Sequence, residues 1–255
     1  MDSSRDHLSP PQLQGNRANR ISMLIFAAVI TAILAVLILP AFSSFRFKGR
    51  MAGQLCSGRQ IYLSLRNYAA DIGAGGAFPL YSDRENQKGI ATTSNEAFQV
   101  LLPRYLDDKR PFFNKSSAWC DRRIGGAGFE TKVHSGENDW VYVRGLTENS
   151  PSRWPLIANA FAPPTTTYVR DPGKPGGVWK GANAIVVWAG GSAEIVETKP
   201  QRDGFIIPRS DKPSANAFEK DGEWLVGFGV EVLSPNVPQP NTSFGGEILS
   251  EDGGC

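Results

Sequence analysis

The chain has 255 residues, a formal net charge of +2, 41% apolar and 20% charged residues, the profile of one ordinary domain, alone or with appendages. This composition is neither collagen-like, nor coiled-coil, nor that of a wholly disordered chain. A balance so near neutrality argues against nucleic acid as a partner, and three Cys are too few for a disulfide-built scaffold.

Residues 1–20 form a polar leader with Pro10-Pro11 and Gly15, expected to be disordered. From Ile21 to Pro40 the residues are almost all apolar, and no ionisable side chain falls between Arg20 and Arg46. About 20 such residues at 1.5 Å rise cover a hydrocarbon core of ~30 Å. Residues 21–45 are therefore expected to be the transmembrane half of a long helix, making a single-pass protein with the lipid bilayer as its partner. A cleavable signal ending at Ala41-Phe42-Ser43 is the alternative, but its apolar core would run only ~7–15 residues. Orientation stays open on charge: Arg5, Arg17 and Arg20 precede the run and Arg46, Lys48, Arg50 and Arg59 follow it.

The helical pattern continues over residues 46–72. Met51, Leu55, Tyr62, Leu65 and Ala69 recur at spacings of three, four and seven, with Ile61 and Tyr68 beside them and Arg46, Arg50, Arg59, Arg66 and Asn67 largely between. That is the stripe of an amphipathic helix packed on a domain. Gly73, Gly75 and Gly76, then Phe78-Pro79, should end it near Asp71. Pro40 is expected to kink the helix without ending it.

Residues 73–198 read as a globular α+β domain. Ala97–Tyr105 predicts a short helix stopped by Pro103. Asp139–Gly145 alternates and carries Trp, Val and Tyr, so it predicts a strand, as does Trp154–Phe161. Ala184–Ala189 and Ala193–Thr198 flank Gly190-Gly191, the pattern of a hairpin with a two-residue link. Residues 199–255 read as an extension: a polar, Pro-containing loop over Lys199–Lys220, a strand or hairpin over Glu223–Leu233, and a loose tail. The expected fold is α+β, a long N-terminal helix packed on an antiparallel sheet, with the sheet's other face wet. Trp140, Trp154 and Trp188, with Phe161, are the expected core aromatics, each with a binding platform as the alternative.

The run TAILAVLILPAF, then Cys56, Arg59-Gln60, Tyr68-Ala69, Asp71 and Phe78-Pro79, resembles the bacterial pilin-like proteins with a type II secretion pseudopilin N-terminus, in particular the large envelope set of planctomycetes and verrucomicrobia. Trp188, Ala189 and Gly191 are similar to that family's late hairpin, where Gly190 and Ser192 replace an Asp and a His. The resemblance covers residues 21–80 well and 150–200 loosely. It implies a bacterial inner-membrane protein with its C-terminal domain in the periplasm. It also implies a disulfide between Cys56 and Cys120, leaving Cys255 free. The chain departs from the family at the processing site: Ala18-Asn19 stands at the cleavage junction and Met23 at the position of the assembly Glu. Prepilin cleavage is accordingly not expected.

No Walker loop, HExxH, GxSxG or CxxC occurs, and the histidines are His7 and His134. Triad chemistry would rest on His134 alone, so an anchored hydrolase is kept only for contrast and the chain is expected not to be an enzyme. The stretch His134-Ser135-Gly136-Glu137-Asn138-Asp139 and Glu251-Asp252-Gly253 hold metal-capable groups, but each reads as a solvated loop, and no cofactor or metal is expected. Asp107-Asp108 before Lys109-Arg110 reads as a self-neutralising exposed loop, and Asp171-Pro172-Gly173 as turn chemistry. The expected function is a membrane-anchored pilin-like structural or assembly subunit of an envelope filament or secretion system, with like subunits or the secretion apparatus as partners. The alternative is a stand-alone single-pass envelope binding protein of the same fold.

Overall fold

A computed structural model describes residues 15–72, 76–82, 89–120, 132–162, 164–227 and 229–237, and within the first helix the side chains of 22–34, 36 and 45 onward. The expectations for residues 1–14, for Gly73 and Gly75, for the tail from 238 and for Cys255 lie outside the described residues. The chain divides into two compact units, Met1–Gly49 and Arg50–Cys255. Helix α1 (Gly15–Ile72) contributes to both.

In the first unit, residues 15–20 are helical, not part of an unstructured leader, and the helix assignment passes through Pro40. The membrane expectation is corrected here. Among the described residues, no helix is long and apolar enough to cross a membrane. The transmembrane and single-pass reading falls on that finding, and so does the inner-membrane location with a periplasmic domain.

In the second unit the stripe on α1 is present. Met51, Gln54, Ile61, Tyr62, Ser64, Leu65, Tyr68 and Ala69 are buried, whereas Leu63 is exposed. Gly58 sits on the same stripe, where an added Cβ would lie 2.9 Å from Cη2 of Trp140 and 3.0 Å from Cγ2 of Val187. The missing side chain lets the helix backbone come close to the sheet. Tyr62 hydroxyl donates to the Ala189 carbonyl at 3.3 Å.

The sheet holds β1 (Trp140–Arg144), β2 (Pro155–Asn159), β3 (Asn183–Trp188), β4 (Ala193–Glu197) and β7 (Glu231–Leu233) in the order β4-β3-β2-β1-β7. All neighbours are antiparallel. The fold is thus α+β with a five-stranded antiparallel sheet. The β3–β4 hairpin closes on the Trp188 N–H to Ser192 carbonyl bond, so its link is Ala189-Gly190-Gly191, one residue longer than expected. Gly191 occupies the left-handed region at φ +90°, as the third residue of such a link requires.

In the central strands neither face of the sheet is wet, whereas the edge strand β4 is exposed at Glu194, Ile195 and Glu197. Side chains alternate across a strand, yet Trp140, Val141, Tyr142 and Val143 are all fully buried, as are Ala184 to Val187. The segment expected to be an exposed loop after β4 has structure of its own. Strands β5 (Lys199–Gln201) and β6 (Gly204–Ile206) pair, and Ile206, Ile207, Ala217 and Phe218 are buried. A ring contact of Phe218 with Phe161 at 4.8 Å ties this segment to one end of β2, and one of Trp224, just beyond it, with Trp154 at 6.4 Å reaches the other end. Its polar, Pro-containing composition concealed the buried apolar residues. The run Glu223–Leu233 yields only the short β7, because Gly227 and Gly229 take positive φ just before it.

Helix α2 (Ser94–Gln99) starts three residues before the expected helix and ends six before its expected end. Thr93 caps it: its side chain accepts from the Glu96 N–H, while the Glu96 carboxylate accepts from the Thr93 N–H, a reciprocal capping box.

Candidate functional site

His134 is exposed in a loop whose backbone is held by its neighbours. The His134 backbone N–H donates to Glu137 at 2.8 Å, and the same Glu137 oxygen pairs with Lys109 at 2.8 Å. Glu137 is therefore committed to closing a turn. Lys109 leaves the expected Asp107-to-Arg110 neutralisation, where the surviving pair is Asp108 with Arg110. Asp171 closes its own turn by accepting from the Gly173 N–H at 2.9 Å.

Cys56 and Cys120 are both free thiols. Cys56 is exposed on α1, whereas Cys120 is buried, and the structure does not join the pair that the family resemblance implies. Burial, and then the nearby Asp139 carboxyl, push the Cys120 thiol well above the ordinary range. Cys120 is held as a neutral, small apolar group.

Asp139, the last residue of the His134 loop, is fully buried. One oxygen, Oδ2, accepts from Asn114 Nδ2 at 2.7 Å and from Asn159 Nδ2 at 3.4 Å. The other, Oδ1, has no hydrogen-bond partner, and the Ser117 hydroxyl beside it makes none either. Desolvation pushes the Asp139 carboxyl up to about 7, against the pull of the Asn114 and Asn159 amides. Asn159 also accepts from Trp179 Nε1 at 2.9 Å and from the Ile185 N–H at 3.1 Å. Asp139 and Asn159 thus bind the loop, β2 and β3 together. A second polar knot joins Asn138 to Ser94, Asn95 and the Trp140 carbonyl. Neither amide knot was visible in the sequence, because the partners are brought together by the fold.

Trp140 and Trp154 are buried as expected, but Trp188 is only half-buried. It is the last residue of β3, and it lines a groove of about 300 Å³ with Ser152, Arg153, Ser192, Glu194 and Ser210. Three backbone segments meet there. The Ala189 N–H donates to the Trp154 carbonyl at 2.8 Å and the Gly190 N–H to the Ser152 carbonyl at 3.0 Å. A Cβ on Gly190 would lie 2.6 Å from that of Ser152, so only glycine permits this approach. The sequence marked the hairpin and its glycines but not the exposure of Trp188, which depends on what packs beside the strand end.

Among the described residues, no group of three His, Cys, Asp or Glu side chains is placed to hold a metal ion. Comparison with protein-family models, curated proteins and solved structures finds no match for this chain.

Proposed function

We propose that the protein is a pilin-like structural or assembly subunit, joined to like subunits through the apolar part of α1, in a filament or secretion system. One observation carries this reading: in the first unit Met23 is 76% exposed, Phe26 68% and Val36 72%, with Leu24, Ile25, Val29, Ile30, Ile33 and Leu34 exposed around the same helix. A helix apolar on all sides needs cover, and identical helices supply it without any other partner. The stripe that seats residues 51–69 on an antiparallel sheet supports the pilin-like fold. Sedimentation of the full chain tests the proposal. Wild type is expected to form concentration-dependent oligomers, and the Phe26→Arg, Ile33→Arg double variant to sediment as a monomer with an unchanged domain melting temperature. A monomeric wild type at the same concentrations would overturn it. The Trp188 groove favours a second reading, a stand-alone binding protein of the same fold, in which Met23 needs no assembly role.

A further inference from the structure

We propose that the groove at the end of the β3–β4 hairpin is a saccharide-binding site, with the Trp188 indole as the stacking platform and Arg153 and Glu194 as the polar pair that orients the sugar. The proposal does not depend on the assembly role of α1.

The argument begins with what the groove leaves unspent. Among the described residues, the side chains of Ser152, Ser192, Glu194 and Ser210 make no hydrogen bond or ion pair, and Arg153, which makes neither, acts on Asp211 only through its field, helping Arg209 to lower that carboxyl. Arg209 next door shows the contrast: it grips Asp211 through two bonds of 3.0 and 2.6 Å, reaches Asp221 at 3.1 Å, and lies 4.3 Å over the Trp224 ring. That clamp fixes the backbone on both sides of Ser210 and so sets one rim. The hydrogen bonds from Ala189 and Gly190 to the 152–154 segment set the opposite rim and the floor. The backbone walls of the groove are thus fixed, and the ordering left to be met on binding is that of its exposed side chains, chiefly Arg153 and Glu194.

The donor and acceptor inventory selects the ligand class. Arg153 only donates, ionised Glu194 only accepts, and three serine hydroxyls do both. A sugar ring presents hydroxyls that donate and accept around its edge, and a C–H-rich face that suits an indole. A nucleotide or phospholipid headgroup would need an excess of cations, but Arg153 is balanced by Glu194. A wholly apolar ligand would strip water from five polar side chains without replacing their hydrogen bonds. About 300 Å³ is at the small end of ligand sites and suits a mono- or disaccharide unit of a longer glycan that runs on along the open surface.

The test is titration of the full-length protein with cellotetraose, mannotetraose and chitotetraose, followed by calorimetry and by tryptophan fluorescence. At least one of the three is expected to bind with a millimolar or tighter dissociation constant. Trp188→Ala should weaken that binding at least tenfold, and Glu194→Gln and Arg153→Ala by several-fold each, all with melting temperatures unchanged. Failure of all three sugars to bind would overturn the proposal. So would equal affinity in Trp188→Ala. If Trp188→Ala fails to fold, the exposed Glu194→Gln variant decides alone, and unchanged affinity there overturns it.

Discussion

Asp139 is the residue on which the buried polar organisation of the domain turns, and among the described residues it has no ion-pair partner. Two amide donors hold one oxygen while the other is left without a partner. Its carboxyl is pushed up to about 7, chiefly by desolvation, whereas an unfolded Asp titrates near 3.9. The folded chain therefore keeps a proton that the unfolded chain releases. Stability from this group is full below about pH 4 and declines as pH rises through 7, by roughly 4 kcal/mol in all at 1.36 kcal/mol per pKa unit. Urea denaturation at pH 4.5 and pH 8 should show wild type losing stability across that interval. Asp139→Asn keeps the shape, removes the charge and offers an amide N–H towards Ser117, so its stability should change far less. Parallel wild-type and variant curves would show that Asp139 does not carry the pH dependence.

At the scale of elements, two glycines on α1 make opposite predictions from one helix. Gly53 faces open space, with nothing within 4 Å of an added Cβ, so Gly53→Ala should stabilise the domain by about 0.5–1 kcal/mol through helix propensity alone. Gly58 faces Trp140 and Val187 at 2.9 and 3.0 Å, so Gly58→Val should destabilise it by about 1–3 kcal/mol, as overpacked cores do. Thermal melts of the two variants read both signs. The elements legible in the sequence are those written in local pattern: the stripe Met51–Ala69, the β-branched and aromatic runs of β1 to β3, and the glycine link of the hairpin. Those that were not legible depend on distant partners. Ile206, Ile207 and Phe218 are too sparse in a polar run to announce that they are buried. The Thr93-to-Glu96 capping box was available as a local signal and marks the true start of α2. Of the candidate groove, the hairpin glycines were legible, but the half-burial of Trp188 is decided by the 152–154 segment and Ser210, which no local pattern connects to it.

At the scale of the whole molecule, the division at Gly49 and Arg50 places the boundary inside a helix, so the second half of α1 is structural to the sheet domain and the first half is not. Met51, Ile61, Tyr62, Leu65, Tyr68 and Ala69 are all buried in the second unit. Full burial of a large apolar side chain contributes about 1.5–3 kcal/mol, and a domain's net stability is only about 5–15 kcal/mol. Removing the five large ones therefore costs as much as the domain has, and it uncovers Trp140 and Val187 as well. Two truncations separate the roles. A chain starting at Arg50 should give a cooperative thermal transition, dispersed amide resonances and a monomeric sedimentation profile, since it keeps the stripe and lacks the exposed run from Met23 to Val36. A chain starting at Gly76 should show neither a transition nor dispersion. A folded Gly76 fragment would mean that the sheet does not need the helix, and an oligomeric Arg50 fragment would place the self-association surface in the β-domain and away from the apolar run.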